Sequence, residues 1–192
     1  MADTPTGGGA SGAPGAGRAR DDTGSQNDTG PAEQPVSLRD AVALATRAHT
    51  GQLDKAGDDY IGHPLRVMEA VGDAAQRAGV DPDQARMVAV LHDVVEDTDV
   101  SLAKLTSLGY PSDVVAAIDA LSHRDGESVE QYLARVAGNP LSVVVKRADM
   151  ADNSDPARLA RLPLEQANRY ARRYSDRVRL LDDLVVDRMR TG

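Results

Sequence analysis

Apolar residues recur at the three- and four-residue spacing of amphipathic helices along most of the chain after residue 36. The start signals that divide this pattern are the capping residues Ser37, Asp81, Ser101 and Ser128. The valine run at 143–145 could form a strand by propensity, but no partner strand is evident elsewhere, so we assign it to a buried helix. The pattern therefore predicts an all-α bundle of seven to eight helices, with a loop over residues 50–62.

One predicted helix differs from the others because its final turns combine apolar and ionisable residues. Its run 87–95 is apolar almost all round, which is typical of a buried helix. The ionisable residues in its last turn and a half are His92, Asp93, Glu96 and Asp97. Carboxylates at a helix C-terminus face the negative end of the helix dipole. A positive charge should offset them, and a bound divalent cation would provide it.

Composition divides the 192 residues into a tail and one folded domain. Residues 1–35 are rich in Gly, Pro, Ala, Ser, Thr and Asp and have almost no aliphatic side chains, so we expect a disordered tail. A solubilising role for this tail is favoured over a partner-binding arm on composition alone. Residues 36–192 can form one sizeable hydrophobic core, which makes them the expected catalytic or binding domain.

Charge and cysteine content exclude several classes of function. The net charge of −8 gives no electrostatic support to a nucleic-acid partner, and an anionic nucleotide would need a local cation. Cysteine is absent, so disulfides and thiol catalysis are excluded. No apolar run approaches the length of a membrane span or a signal peptide. We expect a cytoplasmic protein with a small-molecule partner, and its oligomeric state stays open.

Three stretches resemble the HD-domain metal-dependent phosphohydrolases, and in particular the hydrolase domains of Rel/SpoT enzymes and the small alarmone hydrolases. They are HTGQLDKAGDDYIGHPLRV at 49–67, LHDVVEDT at 91–98 and VVVKRADMADN at 143–153. A lone His-Asp pair is weak evidence, but the three stretches occur in family order. The resemblance implies an HD-domain helical bundle that removes pyrophosphate from the 3′ position of a guanosine polyphosphate (ppGpp).

The resemblance also implies a metal site. Its implied ligands are His63, His92, Asp93 and Asp149. Considered alone, His63 is better explained by an ordinary histidine at a helix start, and it is the joint set of four residues that favours a metal site. Four protein ligands would saturate a tetrahedral zinc ion, whereas a six-coordinate ion keeps positions for water and phosphate. Mixed imidazole and carboxylate ligands suit Mn²⁺ or Fe²⁺, and the resemblance points to Mn²⁺ as the cofactor.

Catalytic and substrate-binding roles follow from the same resemblance. It assigns proton transfer to Glu96 and Asp97, one turn beyond the His-Asp doublet, although an ordinary acidic helix end has the same composition. The implied substrate contacts are Lys55, Tyr60, Lys146 and Asn153.

Two positions depart from the family pattern and leave the substrate open. Asp54 stands where the family has an arginine that stacks on guanine, and Asp152 replaces a histidine. An HD hydrolase of another nucleotide or phosphorylated metabolite is therefore an alternative. A catalytically inactive helical module that binds a nucleotide or a protein is a second alternative, which the six intact ionisable positions disfavour.

Overall fold

A computed structural model describes residues 35–191, and the predicted tail lies outside this range except for its last residue. The described part is all-α, as predicted. Its helices are α1 Leu38–Ala48, α2 Gly62–Arg77, α3 Pro82–Leu91, α4 Val94–Asp97, α5 Leu102–Ser107, α6 Ser112–Leu121, α7 Val129–Ala137, α8 Pro140–Asn153, α9 Pro156–Leu159 and α10 Leu164–Thr191. The short helices α4 and α9 bring the number within residues 35–191 above the seven or eight expected.

The predicted capping residues begin the helices to which they were assigned. Ser37 and Asp40 form a reciprocal capping box at the start of α1. Ser128 and Gln131 form another at the start of α7. The Asp81 side chain accepts the backbone N–H groups of the first turn of α3, directly before a proline at the first helical position. Local sequence signals therefore determine where these helices begin.

Helix α3 forms the centre of the bundle. It packs against α1, α2, α6 and α8. The side chains of Val88, Val90 and Leu91 are fully buried on different faces of the helix. Neighbours surround α3 on several sides, and this explains why its sequence is apolar almost all round.

The central helix is interrupted, so the prediction that one helix continues to residue 97 was wrong. Helix α3 ends at Leu91, and a turn containing His92 and Asp93 precedes α4. The Nδ1 atom of His92 lies 2.7 Å from the carbonyl oxygen of Ala89, which a continuing helix would offer to the backbone N–H of Asp93. The His92 side chain and the Asp93 backbone therefore compete for one carbonyl, and this competition favours a helix break at the His-Asp doublet.

The segment between α1 and α2 is the predicted loop, although Gly62 already belongs to α2. Gly51 and Gly57 adopt positive φ angles of 79° and 87°, which other residues rarely adopt. An isolated bridge pairs Leu53 with Asp59 and closes the loop on itself. The loop leads directly into the first turn of α2, where His63 lies.

Helices α8 and α10 complete the domain. The valine run lies in α8, with Val145 fully buried, which confirms the helical assignment. Helix α10 packs against α7, α8 and α9, and Leu181 is fully buried in its apolar stripe. Among residues 35–191, no helix is both long and apolar enough to cross a bilayer.

Candidate metal centre and active site

Three of the four predicted metal ligands converge in the structure. His63 comes from the first turn of α2, His92 from the end of α3 and Asp149 from α8. One potential ligand atom of each lies within 4.8 Å of the others, and all three residues are buried. The Nε2 atom of His63 lies 3.2 Å from Oδ1 of Asp149. Residues distant in sequence thus form one buried cluster, which we call the ligand cluster.

Asp93, the fourth predicted ligand, lies beside this cluster. Its Oδ2 atom is 2.9 Å from Nε2 of His92 and 3.8 Å from Nε2 of His63. The side chain is one-fifth exposed, and it faces the cavity that adjoins the cluster. Two imidazoles and two carboxylates therefore surround one small volume, and from here on we include Asp93 in the ligand cluster.

The donor atoms of the cluster fit a divalent cation. The Nδ1 atom of His92 is within hydrogen-bonding distance of the Ala89 carbonyl, which places a proton on Nδ1 and makes Nε2 the ring atom that a cation can bind. That Nε2 atom is buried and makes no hydrogen bond of acceptable geometry within residues 35–191, although Oδ2 of Asp93 lies 2.9 Å away. A buried polar atom without a partner is costly, and a cation held jointly with Asp93 and Asp149 would satisfy it.

The electrostatics of the cluster also favour paired charges. Burial opposes ionisation of Asp93, but the adjacent His92 outweighs burial and lowers the pKa of Asp93 to about 2. Burial likewise opposes ionisation of Asp149, whose pKa is nevertheless well below normal because of Lys146 and the histidines. Burial opposes protonation of His92, but the two carboxylates outweigh it and raise the pKa to about 9, so without a cation the ring is protonated and a metal ion would replace the Nε2 proton. Both carboxylates are therefore anionic at neutral pH and attract positive charge.

Three of the four residues predicted to contact substrate donate hydrogen bonds to the carboxylates of Asp93 and Asp149. The Tyr60 hydroxyl donates to Oδ2 of Asp93 at 2.5 Å. The Lys146 ammonium donates to Oδ2 of Asp149 at 2.7 Å, and the Asn153 amide donates to Oδ1 at 2.5 Å. All three also line the adjoining cavity, so contacts with a ligand there remain a prediction.

The cavity has a volume of about 350 Å³, within the usual range for small-molecule sites. Glu96 and Asp97 both line it. The Glu96 carboxylate accepts the backbone N–H of His123 at 3.1 Å, which holds it at the cavity wall. Burial, followed by the charges of Asp93 and Glu96, raises the pKa of Asp97. Both predicted catalytic residues thus lie beside the ligand cluster.

Sequence reasoning missed the wall that α10 contributes. Its cavity-lining residues are Tyr170, Arg173, Tyr174 and Arg177. Lys55, the remaining predicted substrate contact, reaches from the loop and places its ammonium 4.4 Å from the centre of the Tyr170 ring. The three- and four-residue spacing puts these α10 side chains on one helical face, a signal that was visible in the sequence.

The two departures from the family pattern meet in one charged network. Arg158 forms ion pairs with both Asp54 and Asp152. Asp54 also accepts the backbone N–H groups of Ala56 and Asp58. Its charge is therefore compensated within the protein, which reduces any repulsion between Asp54 and a bound phosphate.

Comparisons with known proteins agree with this geometry. Over 140 residues the chain is 34% identical to a probable GTP pyrophosphokinase of Mycobacterium leprae, covering 69% of this chain and 17% of that protein. It is 31% identical to a guanosine-3′,5′-bis(diphosphate) 3′-pyrophosphohydrolase of Vibrio cholerae, covering 62% and 18%. The chain thus spans less than a fifth of the length of these curated relatives.

The fold agrees with a solved structure as well. It matches a metazoan orthologue of SpoT, described as hydrolysing ppGpp, with a TM-score of 0.58 and 23% identity, covering 82% of this chain and 98% of that one. The family model for the HD domain matches residues 60–157, which contain the complete ligand cluster. The chain belongs to the HD-domain family.

Proposed function

We propose that residues 36–192 form a Mn²⁺-dependent phosphohydrolase that removes pyrophosphate from the 3′ position of a guanosine polyphosphate. The observation that carries this proposal is the convergence of His63, His92 and Asp149 beside a cavity of nucleotide-binding size. The Rel/SpoT relatives support the substrate class. A nucleotide substrate of this kind is consistent with the expected cytoplasmic location.

The metal would be held by His63, His92, Asp93 and Asp149. When bound, a divalent cation supplies Lewis-acid polarisation of phosphate and activation of water at neutral pH. Two imidazoles and two carboxylates favour a transition metal such as Mn²⁺ over Mg²⁺, which prefers oxygen ligands. The Nε2 atom of His92 supports a ligand role for this histidine, because it is buried beside the two carboxylates and makes no hydrogen bond within residues 35–191.

We assign the proton transfers to the two carboxylates at the cavity wall. Glu96 is exposed to the cavity and is fixed by the His123 backbone, so its free oxygen can accept a proton from the attacking water. Asp97 lies on the same short helix and lines the same cavity. Glu96 and Asp97 lie about one helical turn after Asp93, and this keeps both carboxylates near the ligand cluster.

Positive charge along the cavity would bind the substrate phosphates despite the net charge of −8. Lys55 comes from the loop, and Arg173 and Arg177 come from α10. Lys146 lines the same cavity, and its ion pair with Asp149 offsets the negative charge of that carboxylate near the ligand cluster. Tyr60 and Asn153 would orient the groups nearest the metal.

A second candidate is an HD hydrolase of another nucleotide or phosphorylated metabolite. The observation that favours it is the pairing of Asp54 with Arg158, since an aspartate held in this way offers no stacking cation to a guanine base. Both candidate functions use the ligand cluster, and they differ only in which chemical group of the substrate binds at the loop between α1 and α2.

A release assay distinguishes the candidates. The full-length protein is incubated with Mn²⁺ and a panel of nucleotides and sugar phosphates, and phosphate and pyrophosphate are measured separately. Pyrophosphate release from guanosine tetraphosphate, with little release from adenosine or inosine analogues, supports the first proposal. Preferential turnover of another panel member supports the second, and no turnover with any substrate contradicts both.

A further inference from the structure

We infer that Asp152 is a positioning residue that orients His63 toward the ligand cluster. The Oδ2 atom of Asp152 lies 2.7 Å from Nδ1 of His63, the ring nitrogen on the far side from the cluster. This inference rests on the metal site of the proposed function. It concerns a residue at which the chain departs from the family pattern, so that pattern does not account for it.

The geometry divides the two ring nitrogens of His63 between two tasks. A carboxylate accepts a hydrogen bond, so the proton belongs on Nδ1 beside Asp152. Nε2 is then the ring atom that offers a lone pair to a bound cation, and it lies 3.2 Å from Oδ1 of Asp149 within the cluster. Carboxylates that bind the second nitrogen of a metal-ligating histidine fix its tautomer and increase its basicity. Asp152 is placed to do both.

Asp152 is itself held by two arginines. The Arg66 guanidinium donates from Nε to Oδ1 at 2.7 Å and from Nη2 to Oδ2 at 3.2 Å. Arg158 donates to Oδ2 as well. Such two-pronged contacts fix the plane of a carboxylate. The Asp152 side chain is only 13% exposed, so solvent competes weakly for its oxygens.

The network continues into the loop that borders the cavity. Arg158 donates from Nη2 to Oδ2 of Asp54 at 3.1 Å. The other oxygen of Asp54 accepts the backbone N–H groups of Ala56 and Asp58 at 2.8 and 3.0 Å. One chain of contacts therefore joins the loop conformation to the orientation of His63. We place Arg158 as the link between the loop and the metal centre.

The test compares Asp152→Ala with Asp182→Ala. Asp182 forms an ion pair with Arg147 and does not line the cavity. Arg147 lies in α8, as Asp152 does, so the control also removes one carboxylate that contacts a charged side chain at α8. Supporting residues of this kind typically change metal affinity by about 10–100-fold. We expect Asp152→Ala to weaken Mn²⁺ binding by about that factor in a chelator-competition titration, and Asp182→Ala to change it less than about twofold.

A conservative variant and a spectroscopic signal exclude a merely structural role. Asp152→Asn keeps an oxygen that can accept the Nδ1 proton, so we expect it to recover part of the lost affinity. With Zn²⁺ as a diamagnetic probe, a ¹H–¹⁵N spectrum should show an exchange-protected His63 Nδ1–H signal that is lost in Asp152→Ala. Should Asp152→Ala not fold, the Asp152→Asn titration and spectrum decide the question.

Two results overturn the inference in different ways. Equal Mn²⁺ affinities for Asp152→Ala and Asp182→Ala, or an unchanged His63 signal, overturn the positioning role and leave the proposed function intact. Absence of Mn²⁺ binding by the unaltered protein overturns the proposed metal site, and the positioning role fails with it. Arg158 reaches His63 through Asp152, so Arg158→Gln should weaken Mn²⁺ binding less than Asp152→Ala does. A larger loss of Mn²⁺ affinity in Arg158→Gln would contradict this order of contacts.

Discussion

Two polar clusters lie inside this helical domain, and they differ in whether their polar atoms are satisfied. One is centred on Arg135 of α7, and the other is the ligand cluster. Arg135 donates from Nε to Glu127 at 2.6 Å and from Nη2 to the Ser122 carbonyl at 2.8 Å. It also donates from Nη1 to the Asp119 carbonyl at 2.9 Å. These carbonyls lie at the C-terminal end of α6, where helices leave acceptors without backbone partners.

The ligand cluster shows the opposite pattern. His92 retains a buried Nε2 atom with no hydrogen-bond partner in the described part of the chain. Two anionic carboxylates, Asp93 and Asp149, lie beside it, although like charges repel. The Arg135 cluster completes the fold with groups that the chain itself supplies. In the ligand cluster, Nε2 of His92 is left without a hydrogen bond between two anionic side chains, which is what a site for an external cation requires.

The largest expected effect comes from removing a central carboxylate of the ligand cluster. Asp149→Ala deletes a ligand candidate and leaves Lys146 without its ion-pair partner. We expect Mn²⁺ affinity to fall by more than about 100-fold, the upper end for residues that only support a ligand. Loss of one partner of a buried pair should also lower the free energy of unfolding by about 3–5 kcal/mol.

Metal titration, an activity assay and chemical denaturation check this prediction on the same preparation. Asp182→Ala is the matched control because its ion pair with Arg147 is about half exposed. Stoichiometric Mn²⁺ binding by Asp149→Ala at unchanged affinity would show that the two clusters do not differ in the way proposed.

Glu96→Gln should separate turnover from metal binding. The amide preserves the size of the side chain and can still accept the His123 backbone N–H, but it cannot accept a proton from water. General acid–base groups contribute about 10²–10⁴-fold in rate, so we expect kcat to fall by that factor while Mn²⁺ affinity is kept. Steady-state kinetics and mass-spectrometric metal analysis measure the two quantities.

The control for this change is Glu69→Gln, an exposed residue of α2 outside the cavity, which should leave kcat unchanged. A metal-free Glu96→Gln protein would identify Glu96 as a ligand. The division of roles between the ligand cluster and the cavity wall would then be wrong.

Local signals explain how much of the fold could be predicted from the sequence. Capping residues such as Ser37 and Ser128 act within a few residues, so they predicted the starts of α1 and α7. The metal-ligand candidates could be named because short motifs carry them in a fixed order. In the structure, these side chains come together from α2, from the turn after α3 and from α8.

Features that depend on the orientation of one side chain or on distant contacts could not be predicted in the same way. The break after Leu91 requires the His92 side chain to turn back onto a carbonyl of its own helix. The contact between His63 and Asp152 spans 89 residues and depends on how α2 packs against α8. The cavity wall on α10 depends likewise on where that helix docks.

Arg135→Met tests the self-satisfied cluster. The methionine fills much of the space but leaves Glu127 and the carbonyls of α6 without their donor. We expect the free energy of unfolding to fall by about 1–3 kcal/mol, while Mn²⁺ affinity of the folded protein stays within about twofold.

Arg124→Met is the control for this change because its ion pair with Asp119 is about half exposed and should contribute about 0–1 kcal/mol. A large loss of Mn²⁺ affinity in Arg135→Met would contradict the separation between a cluster that serves stability and one that serves binding.

The smallest expected effect comes from deleting residues 1–34. Both clusters belong to the proposed domain at 36–192, and the deleted segment is rich in glycine and proline with almost no aliphatic side chains. We therefore expect the melting temperature to stay within about 2 °C, since a change of 1 kcal/mol would shift it by about 2–4 °C in a protein of this size. Mn²⁺ affinity should be equally unaffected, and both quantities are compared with those of the full-length chain in the same buffer.

A larger fall in melting temperature with unchanged Mn²⁺ affinity would mean that the first 34 residues stabilise the fold. A fall in Mn²⁺ affinity alone would mean that they contribute to the ligand cluster, which would then extend beyond the helices that hold its four side chains.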